Sequence, residues 1–208
     1  MVGLTADFTA AAAALAQQDR ALGAIIERVG PCTLGQTAKT TELLQELAIA
    51  IIHQQLSQRA AASIQSRFLA LYGNGQDLTP AALLATPAET LRAAGLSRPK
   101  VRYLQGLARQ IEAGLPSLAE LATWEDAAIL ETLTAIAGIG RWTVEMLLIF
   151  RLYRPNVWPS QDLGIRKAVG RLLGWESGGT PQAVAAVGER WQPTRTVAAW
   201  YLWRSLEV

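Results

Sequence analysis

Leu133 to Asp162 reads LTAIAGIGRWTVEMLLIFRLYRPNVWPSQD, and this stretch decides the fold. Gly138-Ile139-Gly140 makes a turn too tight for side chains, and its bare backbone N–H groups can approach an anion closely. From Arg141 onward, Val144, Leu147, Leu148 and Phe150 supply an apolar face, which predicts a helix opening directly out of the turn. A helix N-terminus behind a glycine turn is a natural phosphate seat. Twenty residues after Trp142, Asp162 stands in Pro159-Ser160-Gln161-Asp162-Leu163-Gly164, where the next helix should begin. The positive end of that helix favours an anionic side chain. On local sequence alone Asp162 reads first as a helix cap.

Outward from this stretch, apolar residues recur at three- and four-residue spacing, while alternating β-branched runs are nearly absent. The expectation is an all-α protein, with helices at about 6–18, 21–29, 41–52, 58–72, 80–85, 88–94, 99–113, 118–122, 126–136, 141–152, 162–173, 181–189 and 194–206. Thr79-Pro80, Thr86-Pro87 and Thr180-Pro181 read as helix starts, with a capping hydroxyl followed by an early proline. Gly30-Pro31 and Gly73-Asn74-Gly75 are the clearest breaks. No long linker, low-complexity tract or repeat interrupts the chain.

With 208 residues, 50% of them hydrophobic, the chain suffices for one large domain or two small lobes sharing a cleft. Its net charge is only +2, but residues 133–208 hold nine Lys/Arg against five Asp/Glu, and residues 1–132 hold ten against twelve. The basic half is the half with the glycine turn, as a phosphate-binding face requires, although chance would also produce such an asymmetry. Cys32 is the sole cysteine and His53 the sole histidine, which excludes an intramolecular disulfide, a four-cysteine iron–sulfur cluster and a Cys/His zinc site. No apolar run is long enough to span a membrane. Asp7 precedes the apolar run 10–16 and no basic segment opens the chain, so the expectation is no signal peptide and a cytoplasmic address.

Ile51-Ile52-His53-Gln54-Gln55-Leu56-Ser57 is an apolar helix end running into a polar cluster, which by itself reads as helix termination with exposed amides. His53 reads as a satisfied polar residue or as a DNA contact. Ser97-Arg98-Pro99-Lys100 reads as a basic helix start, suited either to a phosphate or to solvent. Seven tryptophans are many for this length; Trp191 and Trp200 are assigned to the core.

Together these residues resemble the helix-hairpin-helix DNA glycosylases, and within them the alkylated-base branch of 3-methyladenine DNA glycosylase II type. The resemblance rests on the hairpin-to-Asp162 spacing, on Ile51 to Ser57, on Ala93-Ala94-Gly95-Leu96-Ser97, and on Trp191-Gln192-Pro193 followed by Trp203. It spans roughly residues 22–207. It implies a two-lobed helical fold with a central DNA and base cleft and no N-terminal β-sheet domain. The middle lobe, about 40–125, would carry a wedge loop; the other, about 1–39 plus 126–208, would carry the hairpin and the catalytic aspartate.

The resemblance further implies a role for each matching residue. Asp162 matches the catalytic aspartate, which stabilises the oxocarbenium-like sugar as the base leaves and orients or deprotonates water. Gln55, with Gln54 beside it, matches the wedge that fills the gap left by a flipped base; here it is a polar amide where many wedges are apolar. Trp142 and Trp203 match walls of the base pocket, where an indole face attracts the positive charge of an N3- or N7-alkylated purine. Met146, one turn beyond Trp142, and Trp158 are further candidate walls, although Trp158 reads equally as loop packing. Gly138, Ile139 and Gly140 would bind a DNA phosphate, and the backbone carbonyls of Thr134, Ile136 and Ile139 a sodium or potassium ion.

No other cofactor is expected. Trp142 stands where bifunctional relatives carry a Schiff-base lysine, so no lyase activity is expected, and Gln161 stands where many carry a second acid. The expected partner is double-stranded DNA containing alkylated bases, approached by a monomer. The alternatives are a bifunctional glycosylase/lyase for other lesions, a non-catalytic helix-hairpin-helix DNA-binding module, and an α-helical interaction protein with no DNA role.

Overall fold

The computed structural model describes residues 8–36, 42–73, 77–176 and 178–208. Among them the regular elements are helices, with no strand. In chain order they are α1 (Phe8–Gln18), α2 (Arg20–Val29), α3 (Leu43–His53), α4 (Gln58–Ala70), α5 (Pro80–Ala85), α6 (Ala88–Ala93) and α7 (Arg98–Glu112). There follow α8 (Leu118–Leu121), α9 (Asp126–Thr134), α10 (Arg141–Phe150), α11 (Leu163–Leu173), α12 (Pro181–Gly188), a 3₁₀ turn (Glu189–Trp191) and α13 (Arg195–Arg204). The expected helix starts at 6 and 41, and part of the expected break at Gly73-Asn74-Gly75, lie outside the described residues.

The chain forms two compact units, Lys39–Val144 and, from both ends, Met1–Ala38 with Glu145–Val208. In the second, α13 packs against α1, α2 and α11. Every residue from Thr196 to Leu202 is buried, so α13 is a core helix rather than an amphipathic one. Trp191 and Trp200 are buried, as expected. The Trp191 indole N–H donates to Asp19 at 2.9 Å, while Asp19 caps α2 by accepting from the Ala21 and Leu22 N–H groups. Tyr201 donates its hydroxyl to the Gly30 carbonyl at 3.0 Å.

The segment between α10 and α11 is stitched to α13. Thr196 accepts the Val157 N–H at 3.0 Å and donates to the Arg154 carbonyl, and Arg195 Nε donates to Asn156 Oδ1 at 2.8 Å. Asp162 therefore stands at the end of an anchored segment.

In the middle unit α7 packs against α3, α5 and α6, and α3 against α4. Leu43, Leu44, Leu47, Ala48, Ile51 and Ile52 of α3 and Val101, Leu104, Leu107 and Ala108 of α7 are buried together with Phe68, Leu83 and Leu91. Ser57, Thr79, Ser97 and Thr180 cap their helices by accepting the N–H three residues on, and Ser117 forms a reciprocal capping box with Glu120.

Thr86-Pro87 departs from the expected pattern. Thr86 ends α5, donating to the Ala82 carbonyl at 2.8 Å and bonding the Tyr72 hydroxyl, so Pro87 precedes α6 without a capping side chain. The hairpin also lies in a different unit from the one expected: Gly138 to Gly140 fall within Lys39–Val144, and the division between units falls inside α10. Two contacts explain this. The Gln54 amide donates to the Gly138 carbonyl at 2.9 Å, and the Tyr103 ring packs directly on Gly138.

Candidate functional site

Three helix ends carry the chemistry-bearing residues, two in the middle unit and one in the other. In the middle unit, α9 stops at Thr134, and the chain turns through Ile136, whose N–H reaches the Leu133 carbonyl, and Ile139, whose N–H reaches the Ile136 carbonyl at 3.0 Å. The two hairpin glycines do different work. Gly138 has φ +90°, and a Cβ there would sit 2.4 Å from the Tyr103 ring, so glycine is required by both backbone and packing. At Gly140 a Cβ would meet nothing within 4 Å, so the protein's own packing does not call for glycine there.

Exposed Gly140 leads into α10, whose first return bond is Val144 N–H to the Gly140 carbonyl. A helix start of this kind suits an anion approaching from solvent. Ile139 is different: its side chain is buried and its N–H already closes the turn. Within the expected Gly138-Ile139-Gly140 phosphate seat, Ile139 therefore anchors and Gly140 is presented. Trp142, at the second position of α10, is 45% exposed, an unusual state for so large an apolar surface.

The end of α3 lies in the same unit. Gln55 has φ +56° and an exposed side chain. Gln54, expected beside it as a wedge, has another job, because its amide is committed to the Gly138 carbonyl. Lys100 is likewise neither a surface cation nor shaped for a phosphate. Its Nζ donates to the carbonyls of Ile52 and Gln54 at 2.7 and 2.9 Å, and burial lowers its pKa from the ordinary lysine value. His53 is a satisfied polar residue, its Nε2 lying 2.7 Å from Gln65 Oε1.

In the other unit, Asp162 is the N-cap of α11. Its Oδ1 accepts the Ile165 N–H at 2.8 Å and the Trp203 indole N–H at 2.8 Å. The cap bond and the indole together fix the carboxylate plane. Gly164 makes this possible. A Cβ there would lie 2.9 Å from Trp203 Cδ1 and 3.0 Å from Asp162 Oδ1, so any side chain would wedge between indole and carboxylate. Trp203 in turn lies against Phe150, ring centroids 5.7 Å apart and planes tilted by 31°.

Met146 is half-buried on α10. Trp158 has a structural job: its indole N–H donates to the Val184 carbonyl at 2.9 Å, its ring meets Trp191 edge-on, and a Cβ at Gly188 would strike it at 2.4 Å. It packs α12 rather than forming a free pocket wall. Leu163, beside Asp162, is 74% exposed, which suits a surface covered in a complex.

Sequence reasoning missed Gly164, Tyr103, Phe150 and Leu163, and it read Lys100 as facing a phosphate or solvent where it faces the α3 carbonyls. The signal for Gly164 was present, since glycine is a poor choice inside a first helical turn unless something must approach closely.

The family model for HhH-GPD superfamily base excision DNA repair proteins matches residues 48–193, which include all three helix ends. The chain belongs to the HhH-GPD superfamily. Among HhH-GPD relatives it is 37% identical to DNA-3-methyladenine glycosylase 1 of Schizosaccharomyces pombe, over 88% of this chain and 81% of that protein. It is 30% identical to the alkylbase DNA glycosidase-like protein mag2 of the same yeast, over 95% of this chain and 93% of that one. The structure of S. pombe 3-methyladenine DNA glycosylase in complex with abasic DNA superposes with a TM-score of 0.88 at 36% identity, covering 96% of this chain and 98% of that one.

A cation at this turn would be held by the carbonyls of Thr134, Ile136 and Ile139. Thr134 directs its hydroxyl back to the Leu130 carbonyl at 2.6 Å, so its contribution would be the main-chain carbonyl, as for Ile136 and Ile139. An all-carbonyl donor set suits a hard cation. Neutral carbonyls also line potassium sites, so the donor chemistry accords with sodium or potassium.

Proposed function

We propose that this chain is a monofunctional DNA glycosylase that removes alkylated bases of the 3-methyladenine kind from double-stranded DNA in base excision repair. The observation that carries the reading is Asp162, held by the α11 N–H and the Trp203 indole so that its carboxylate has one orientation. Breakage of the C1′–N bond sends its electron pair to the departing base and leaves positive charge on the sugar. Asp162 stabilises that charge and orients water, whose oxygen bonds to C1′ while its proton passes to the carboxylate or to solvent. The products are the free base and an abasic sugar. An alkylated purine carries its own positive charge, so it leaves readily, and the indole faces of Trp142 and Trp203 attract it.

Gln55 fills the vacated position in the duplex, and Gly140 with the start of α10 receives a backbone phosphate. Sodium or potassium on the carbonyls of Thr134, Ile136 and Ile139 would brace the hairpin as it holds that phosphate. Trp142 has no amine to form a Schiff base, so strand cleavage is absent. The acting form is a monomer. No described helix is long and apolar enough to cross a membrane.

The test is incubation of the native chain with methylated duplex DNA, identifying the released bases and assaying for nicks and borohydride-trapped adducts. Free methylated purines with intact strands support the reading. A trapped adduct indicates lyase chemistry, and duplex binding without release indicates a DNA-binding module.

A further inference from the structure

The end of α3 is gripped by two side chains. From the first turn of α7, Lys100 Nζ donates to the carbonyls of Ile52 and Gln54; Gln54 in turn donates its own amide to the Gly138 carbonyl of the hairpin. Carbonyls at a helix C-terminus lack intrahelical partners and carry partial negative charge, so an ammonium is their natural counterpart. Burial disfavours the charged amine at this place, and two charge-assisted bonds offset that cost. One turn further along α7, Tyr103 packs on Gly138. The same helix thus holds both the α3 terminus and the hairpin.

Gln55 stands directly beyond the gripped carbonyls. Its φ of +56° is a conformation that a residue with a Cβ keeps only where the surroundings hold it. On one side the Gln54 carbonyl is bound by Lys100; on the other the Leu56 N–H returns to the His53 carbonyl at 3.4 Å. The backbone is constrained while the Gln55 side chain is exposed.

We propose that Lys100 is a positioning residue for base extrusion: it holds the α3 terminus so that Gln55 stands ready to enter the duplex, and Gln54 makes that loop and the hairpin one DNA-engaging body. The inference rests on the reading of Gln55 as the gap-filling residue. Lys100 acts from inside the protein, through main-chain carbonyls, and touches neither phosphate nor base.

The test uses the full chain and a duplex with a tetrahydrofuran abasic analogue beside 2-aminopurine, whose fluorescence rises when it unstacks. Native protein should raise the fluorescence. Lys100→Met should bind this duplex about tenfold more weakly, the loss expected for charge-assisted bonds, with single-strand affinity unchanged. Lys100→Arg, which can still donate to both carbonyls, should recover most of the loss. On a Gln55→Ala background Lys100→Met should add nothing, because both changes remove one function.

Equal losses on duplex and single strand, or full additivity with Gln55→Ala, would overturn the inference. So would a native rise that Lys100→Met reproduces, and that result would leave the glycosylase reading standing. No rise with native protein would remove the gap-filling reading and the inference together. Lys100→Gln, which replaces the ammonium by a shorter, neutral amide, is read in the same way where Lys100→Met does not fold.

Discussion

Asp162 and Gln55 both stand at helix ends, and in each case a side chain from another helix fixes the place, but what is fixed differs. At the start of α11, the Trp203 indole grips the functional side chain itself, on Oδ1 of the carboxylate. At the end of α3, Lys100 grips main-chain carbonyls, and the Gln55 side chain is left exposed. Bond-breaking chemistry needs an atom held at one point, since a misplacement of about 1 Å can cost around a hundredfold in rate. A gap-filling residue meets a different orphaned base at every lesion, so it needs a fixed origin and an adaptable tip. The two helix ends suit the two roles proposed for them.

Changes that remove or displace the held carboxylate should have the largest effects. Asp162→Asn should lower base release about a hundredfold or more, since an amide cannot stabilise the developing charge. Next, Gly164→Ala places a Cβ between indole and carboxylate and should reduce single-turnover release about tenfold or more, with duplex affinity unchanged. An unaltered release rate would show that the indole does not set the carboxylate's position.

The hairpin glycines should separate stability from binding. Gly138→Ala, with φ +90° and a 2.4 Å approach to Tyr103, should lower stability by about 1–3 kcal/mol, visible as a drop in Tm. Gly140→Ala meets nothing in the protein and should leave Tm unchanged while weakening duplex binding a few-fold. A Tm loss at Gly140 matching that at Gly138 would contradict this division.

The smallest effect concerns pH. Burial lowers the Lys100 pKa, so its ammonium gives up its proton below the ordinary lysine range. The neutral amine can still donate but loses the charge that strengthens both bonds. Binding to the abasic duplex should therefore weaken with rising pH earlier in the native chain than in Lys100→Arg. Superimposable pH profiles would show that the ammonium charge does not matter.

Much of this was legible in the sequence because local rules decide it. Serine and threonine caps, glycine turns and apolar spacing involve residues within a few positions of each other, and they place the helices, the hairpin and Asp162. Thr86 shows the limit: the same Thr-Pro pair that opens α5 and α12 here closes one helix instead, because Tyr72 and the Ala82 carbonyl compete for its hydroxyl. The bonds that set the functional sites are long-range. Gln54 meets Gly138 across 84 positions, Lys100 meets Ile52 across 48, and Trp203 meets Asp162 across 41. No local pattern encodes such partners, so a polar cluster reads as wedge, cap or surface until packing chooses. Trp158 was ambiguous for the same reason, and its bond to Val184 makes it a packing residue.

The measurement that tests the division of labour most directly sets Asp162→Asn beside Gln55→Ala, scoring each for base release and for affinity to an abasic-site duplex. Asp162→Asn should lose release and keep native affinity for the abasic duplex. Gln55→Ala should lose duplex affinity and still release methylated bases from a single strand at the native rate. Native-rate release by Asp162→Asn would contradict the account, because the carboxylate held by Trp203 would then not be the group that breaks the bond.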